Sequence, residues 1–165
     1  MDDHVAAERL PARLTVLPLL VSCCTIVHFG ESMDVVIDTS ALIAVIGDQK
    51  EKLEMIRLTR GATLVAPPSV HWEIGNALSA MFKRKAIELP AAIKALTAYG
   101  TIPIRLIDIN LVQALQLSKQ LNVYAYDAYI IACALNQRAP ILTLDRGLRD
   151  RARDLKLDVL EVERA

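Results

Sequence analysis

Residues 35–42 read VVIDTSAL: three branched apolar residues, one carboxylate, two hydroxyls and a return to apolar residues. Val35, Val36 and Ile37 suit a buried strand. Asp38 then emerges at the strand's C-terminal end, where open parallel sheets place their ligand sites. Two readings of Asp38 are open at this point. It is a metal ligand, or it caps the helix that follows, since Asp, Thr and Ser are all good N-cap residues.

The chain around this stretch has 165 residues, enough for one domain to bury most of its apolar surface without disulfide or metal staples. Apolar residues make up 53% of it, which excludes disorder for the bulk of the sequence. Nineteen basic and nineteen acidic residues cancel, so no global attraction draws the chain to nucleic acid or membrane. A polyanion has to be met by a local basic patch. The three cysteines are odd in number, with Cys23 and Cys24 adjacent and Cys133 inside an apolar helical pattern. That usage fits a reducing compartment, and the cytoplasm is the expected location.

Residues 1–32 differ from the rest. The apolar run 14–29 is short for a bilayer span, which needs roughly 20 apolar residues, and Thr15, Pro18, Ser22, Thr25 and His28 interrupt it. Asp2, Asp3 and Glu8 precede it along with Arg9 and Arg13, and no small-x-small cleavage pattern follows, so it makes a poor secretory signal. No membrane association is expected. The domain is therefore expected over 33–165, with 1–32 a start-site artefact or a loosely attached extension.

From 38 onward helices and strands alternate. A short helix over 41–46 stops at Gly47. An amphipathic helix follows over 51–60, with Leu53, Ile56 and Leu58 as its apolar residues and Gly61 as its stop. A strand over 63–66 ends at Pro67-Pro68. The helix over 69–86 takes Ser69 as its cap and Ile74, Ala77, Leu78 and Met81 as its buried stripe. Further helices are expected over 89–99 and from Asp108 or Asn110 to Leu121, with Asp108 the simplest cap, and strands over 102–107, 140–145 and 158–162. Asp127 opens a nearly all-apolar helix, which should be central. The order implies an α/β domain whose short, mainly parallel sheet of about five strands is covered on both faces.

In such a sheet the ends of the strands bearing Asp38 and Asp145 lie on one edge. Asp127 starts the helix just before the second of these strands, and Glu73 reaches inward from the helix over 69–86. Glu73 alone reads equally as a solvated residue that suits the helix dipole. Asn76, three residues on, shares its face, whereas His71 points elsewhere and reads as non-catalytic. Carboxylates gathered in one cleft repel each other and call for a cation. Oxygen donors without a set of His or Cys suit Mg²⁺ or Mn²⁺ rather than zinc. Such ions serve phosphoryl displacement, the chemistry of a nuclease or phosphatase. Lys83, Arg84 and Lys85 either complement a helix C-terminus or contact phosphate.

Together the stretches VVIDTSAL, PPSVHWEIGNAL (67–78), YDAYIIACAL (126–135) and PILTLDRGL (140–148) resemble the PIN-domain ribonucleases, and most closely the VapC-type toxins of toxin–antitoxin pairs. The resemblance covers 33 to about 162 and implies a PIN-like three-layer α/β/α fold. It matches Asp38, Glu73, Asp127 and Asp145 to the family's acidic quartet, Ser40 and Thr143 to its hydroxyl positions, and Asn76 to a frequently polar position. The activity implied is hydrolysis of RNA phosphodiesters with one or two Mg²⁺ or Mn²⁺ ions on Asp38, Asp127 and Asp145. Glu73 would ligate a metal or orient the attacking water. Arg146 and the cluster at 83–85 would hold the RNA backbone. With 4% aromatic residues no base-stacking platform is evident, and target choice is expected to rest on RNA shape.

The partners implied are RNA, a homodimer mate and a VapB-like antitoxin presenting a basic side chain to the carboxylates, with the helices around 74–81 and 91–96 as interface surfaces. The alternatives are a catalytically silent PIN-fold binding module and a small-molecule metal-dependent phosphatase. Thr39 after Asp38 departs from the second Asp of haloacid-dehalogenase phosphatases. A phospho-acceptor receiver domain would want a lysine where Asp145-Arg146 stands. The intact mass of the natively expressed protein is expected to correspond to a start at Met33; a mass that includes 1–32 ends the artefact reading.

Overall fold

A computed structural model describes residues 32–162. The expectations for residues 1–31 and 163–165 lie outside the described residues. β1 (Asp34–Ile37) pairs in parallel with β2 (Thr63–Ala66), placing Val35 opposite Leu64 and Val36 opposite Val65. On its other side β1 pairs in parallel with β4 (Ile141–Leu142), and β2 pairs in parallel with β3 (Ile104–Leu106). The sheet order is β3-β2-β1-β4. All its C-terminal strand ends therefore share one edge, and the strand that carries Asp38 lies inside the sheet.

Alternation along β1 divides the core in two. Val35 and Ile37 face α1 (Thr39–Ile46), α2 (Lys52–Leu58), α3 (Val70–Lys83) and α4 (Leu89–Tyr99), which contribute Leu42, Met55, Ile74 and Ala92 to one cluster. Val36 faces the other cluster, built from α5 (Leu111–Leu121), α6 (Ala125–Gln137) and α7 (Arg146–Asp154). The result is the expected three-layer α/β/α domain. α6 buries Ala128 and the continuous run Ile130, Ile131, Ala132, Cys133 and Ala134, which accounts for its nearly unbroken apolar sequence.

The expected fifth strand over 158–162 is reduced to one parallel bridge between Ile141 and Val159. Its hydrogen bonds run from Ile141 N to Asp158 O and from Leu160 N to Ile141 O, both 2.9 Å. β4 is two residues long, so it offers an edge partner little ladder to extend. β3 begins after Pro103, which has no N–H to donate.

Three local expectations are corrected. α2 buries Met55, 1% exposed, whereas Leu53 and Ile56 are 78% and 46% exposed. In a two-turn helix the spacing of Met55 and Leu58 competes with that of Leu53 and Ile56, and contact with α1 selects the former. Asn110, not Asp108, caps α5, its side chain accepting from Val112 N at 2.9 Å and Gln113 N at 3.1 Å. Ile74 and Leu78 of α3 belong to the core, as the buried stripe read there requires, so of the two surfaces offered as interfaces only that of α4 is free, with Leu89, Ile93 and Leu96 exposed. No helix among the described residues is long and apolar enough to cross a membrane.

Met55→Ala should destabilise the fold by about 2–5 kcal/mol, since it opens a cavity between α2 and the sheet. Leu53→Ala should stay within about 0.5 kcal/mol. Urea denaturation midpoints compare the two.

Candidate active site

Asp38 leaves the end of β1 with an extended backbone and caps α1, accepting from Ser40 N at 3.2 Å. The cap and site readings of this residue therefore coexist. Its carboxylate is 7% exposed and needs partners. Thr143, just beyond β4 and 2% exposed, donates its hydroxyl to Asp38 Oδ2 at 2.8 Å. Ser40 donates its own hydroxyl to the same oxygen in a short hydrogen bond. The two hydroxyl oxygens are 3.2 Å apart, and each has already given its one proton to Asp38.

Both hydroxyls also accept from the chain that leaves β4. Leu144 N donates to Ser40 Oγ at 2.9 Å and Asp145 N to Thr143 Oγ1 at 3.0 Å. These bonds carry the chain to Asp145, which caps α7 by accepting from Leu148 N at 3.0 Å and is itself exposed. Asp127 lies in the first turn of α6, whose extended N-cap is Tyr124, two residues earlier than the sequence indicated. Burial pushes its carboxyl above the usual range, and the charges of Asp145 and Asp38 push the same way.

Glu73 lies in the first turn of α3 and is partly buried. Burial, then the neighbouring charge of Asp38, raises its carboxyl to about 7 against opposing hydrogen bonds, with a further push from Asp127. Ser69, expected to cap α3, has a helical backbone and no capping bond; its hydroxyl donates instead to Glu73 Oε1 at 3.1 Å. The buried Thr39 hydroxyl also lies close enough to lower the Glu73 pKa, yet it has no hydrogen bond of normal geometry. Ser69 and Thr39 are the two site residues that sequence reasoning missed. The only signal for either was a hydroxyl next to a candidate acid.

Glu73 thus feels the charges of Asp38 and Asp127, and Asp127 those of Asp145 and Asp38, at one edge of the sheet. The expected convergence of three or four carboxylates on one metal centre is not reached: among the described residues no group of three His, Cys, Asp or Glu side chains stands close enough to hold one metal ion. Mg²⁺ keeps several waters and needs only one or two carboxylates from the protein. An open set of hard oxygen donors with an orphaned hydroxyl at Thr39 fits that habit. Soft donors are absent here: Cys133 is buried in α6 with its thiol pushed up to about 11. His71 is engaged with the Tyr99 hydroxyl, Nδ1 lying 2.7 Å from it.

The other sequence candidates divide. Arg146 follows Asp145 directly at the mouth of the site and is exposed. Asn76 is exposed and makes no side-chain hydrogen bond to a described residue. Lys83, Arg84 and Lys85 are exposed at the far end of α3, about 15 Å along the helix from Glu73.

Parallel strands that deliver acids to one edge between helical layers define an α/β protein with a carboxylate site. The PIN domain family model matches residues 35–154, and the chain belongs to that family. Among curated proteins no sequence matches significantly. The fold is similar to that of PAE2754 from Pyrobaculum aerophilum, with a TM-score of 0.59 and 20% identity over 76% of this chain and 85% of that one. It is similar to VapBC2 from Rickettsia felis, solved bound to a DNA fragment from its promoter, with a TM-score of 0.57 and 15% identity over 78% and 98%. It is also similar to VapC20 from Mycobacterium tuberculosis, described as a sarcin-ricin loop cleaving toxin, with a TM-score of 0.51 and 13% identity over 70% and 93%.

A carboxyl raised from 4.5 to about 7 holds its proton more tightly in the folded protein than in the unfolded chain. The stability this contributes is present below pH 4.5 and lost as pH rises through about 7. In a chelator, the melting temperature of the wild type should therefore fall relative to Glu73→Gln by a few degrees between pH 5 and 7.5. Added Mg²⁺ or Mn²⁺ should close the gap. Parallel curves for the two proteins would refute the coupling of Glu73 to its neighbours.

Proposed function

We propose that this protein is a divalent-metal-dependent endoribonuclease and the toxin of a type II toxin–antitoxin pair. The observation that carries the reading is the delivery of Asp38, Glu73, Asp127 and Asp145 to one sheet edge of a PIN domain, where Glu73 and Asp127 feel the charges of neighbouring acids. The solved neighbours VapBC2 and VapC20 support the toxin assignment and, for the second, RNA as the substrate class.

Asp38, Asp127 and Asp145 would share one or two hydrated Mg²⁺ or Mn²⁺ ions, partly through retained water, with Glu73 as a further ligand or as the group that orients water. When bound, the ion supplies charge neutralisation at the phosphate and an acidified water. Glu73, with its carboxyl near neutrality, accepts a proton from the attacking water as the water oxygen bonds to phosphorus. The phosphorus–oxygen bond to the leaving nucleotide then breaks, and that oxygen takes a proton from solvent. Ser40 and Thr143 hold and aim the Asp38 carboxyl group by their donated hydrogen bonds. Arg146 meets the RNA backbone at the mouth of the site, and the cluster of Lys83, Arg84 and Lys85 meets it farther along. A small VapB-like antitoxin would silence the enzyme by presenting a basic side chain to the carboxylates. The exposed apolar residues of α4 offer a surface for the antitoxin or for a homodimer mate.

Asp38→Asn and Asp127→Asn should each lower RNA cleavage more than about a hundredfold with Mg²⁺ or Mn²⁺ supplied. Thr143→Val, which removes a partner of Asp38 and not an acid, should cost about ten- to a hundredfold. Full activity in either Asn variant would remove that residue from the mechanism. Weak or absent calorimetric binding of Mn²⁺ would favour the silent binding module.

A further inference from the structure

Beside the carboxylates lies an open groove of about 500 Å³ that the proposed mechanism does not use. Its walls come from three separate segments: Pro67, Pro68, Ser69 and Trp72 at the start of α3, Asp108 and Ile109 before α5 with Leu111 at its first position, and Tyr126 and Tyr129 on α6. It shares residues with the site. Trp72 immediately precedes Glu73, Tyr126 immediately precedes Asp127, and Ser69 donates to Glu73. Ser69 is common to the groove wall and the Glu73 hydrogen bond, so an RNA held at the acids has this groove as its neighbour.

The groove is aromatic in a chain poor in aromatics. It collects the single tryptophan and two of the four tyrosines. Trp72 is 71% exposed and Tyr126 41% exposed, a high exposure for large rings that proteins mostly bury. Tyr126 and Tyr129 meet edge to face, with centroids 6.0 Å apart and planes at 82°. That contact steadies both rings without stacking them, so an incoming base displaces no stacked partner. The two prolines fix their own backbone, and little order has to be created on binding.

Charge narrows the occupant. No described residue lining the groove is a cation, and its one ionised group is the exposed Asp108. A phosphate is repelled there, whereas a neutral base carrying an exocyclic amine offers N–H donors to that carboxylate. We propose that the groove is a nucleobase subsite, in which Trp72 and Tyr126 stack an unpaired base of the RNA beside the cleaved phosphodiester and Asp108 favours bases bearing an amine. The proposal rests on the ribonuclease reading and gives it a local sequence preference, where the low aromatic content had pointed to RNA shape alone.

Because Trp72 is the sole tryptophan, its emission reports this groove. Phosphorothioate tetranucleotides in Mg²⁺ should quench it saturably, oligo(C) and oligo(A) more tightly than oligo(U). An abasic strand with the same phosphates should leave it unchanged. Trp72→Ala should raise KM for RNA about tenfold with kcat little changed; Trp72→Phe should retain most of the affinity, and Asp108→Asn should erase the preference for cytosine over uracil.

Equal quenching by the abasic strand would overturn the subsite, since only backbone would then be felt. An emission change that follows protein concentration and not oligonucleotide would also overturn it, because the groove would then cover a second copy of the chain. Normal cleavage with unresponsive emission and an unaffected Trp72→Ala variant would sink the subsite while the nuclease stands. Base-dependent quenching with no cleavage would leave the subsite standing and sink the nuclease.

Discussion

The structure depends on an acid that is nearly out of water and must find hydrogen-bond donors. Asp38 is 7% exposed, and a polar group at that depth is tolerable only when donors meet it. The donors are two hydroxyls, and one of them, Thr143, is 105 residues away along the chain. The bond from Thr143 to Asp38 therefore locks the end of β1 to the end of β4. With β4 only two residues long, backbone pairing alone gives this junction a short ladder. The hydroxyl relay through Ser40 Oγ and Thr143 Oγ1 to Leu144 N and Asp145 N extends the connection beyond the sheet. The same bonds that stitch two strands together thus fix where two of the acids emerge.

Stability for this arrangement comes from elsewhere. α6 packs a nearly continuous apolar run against Val36 and Ile141, and α1 with α3 covers Val35 and Ile37. The buried residues of both clusters are apolar. The charged edge can be electrostatically unfavourable because the helices on either face hold the sheet independently of it. Glu73 illustrates the consequence: its carboxyl is driven toward the neutral form by burial and by Asp38, and the hydrogen bond from Ser69 offsets only part of that push.

What the sequence disclosed and what it withheld follow from how far apart the cooperating residues lie. VVIDTSAL and PILTLDRGL were legible because strand, acid and hydroxyl are contiguous, and a parallel sheet brings such ends to one edge. α6 was legible because burial on every side leaves no polar stripe. The face of α2 was not, since a two-turn helix offers two apolar spacings and only contact with α1 chooses Met55. Asp108 and Asn110 are both competent caps, and the position of the first helical turn decides between them. Ser69 was misassigned because a hydroxyl before a helix is usually a cap, and here a carboxylate one turn later takes the proton. The groove at Trp72 was illegible because its walls come from three segments that no local pattern relates.

The chain carries no formal net charge, yet its charges are not evenly spread. Acids gather at one sheet edge, while Lys83, Arg84 and Lys85 sit at the opposite end of α3, too far to neutralise them. On the proposed reading this separation is what makes the site responsive. Had an intramolecular lysine occupied the cleft, the acids would already be paired and a metal ion would have to displace it. Left to repel one another, Asp38, Glu73 and Asp127 reward any cation that enters, by an amount set by its charge and its tolerance for retained water. A hydrated divalent ion and the basic side chain of an antitoxin would then compete for one electrostatic vacancy, so activation and inhibition would share a single physical cause.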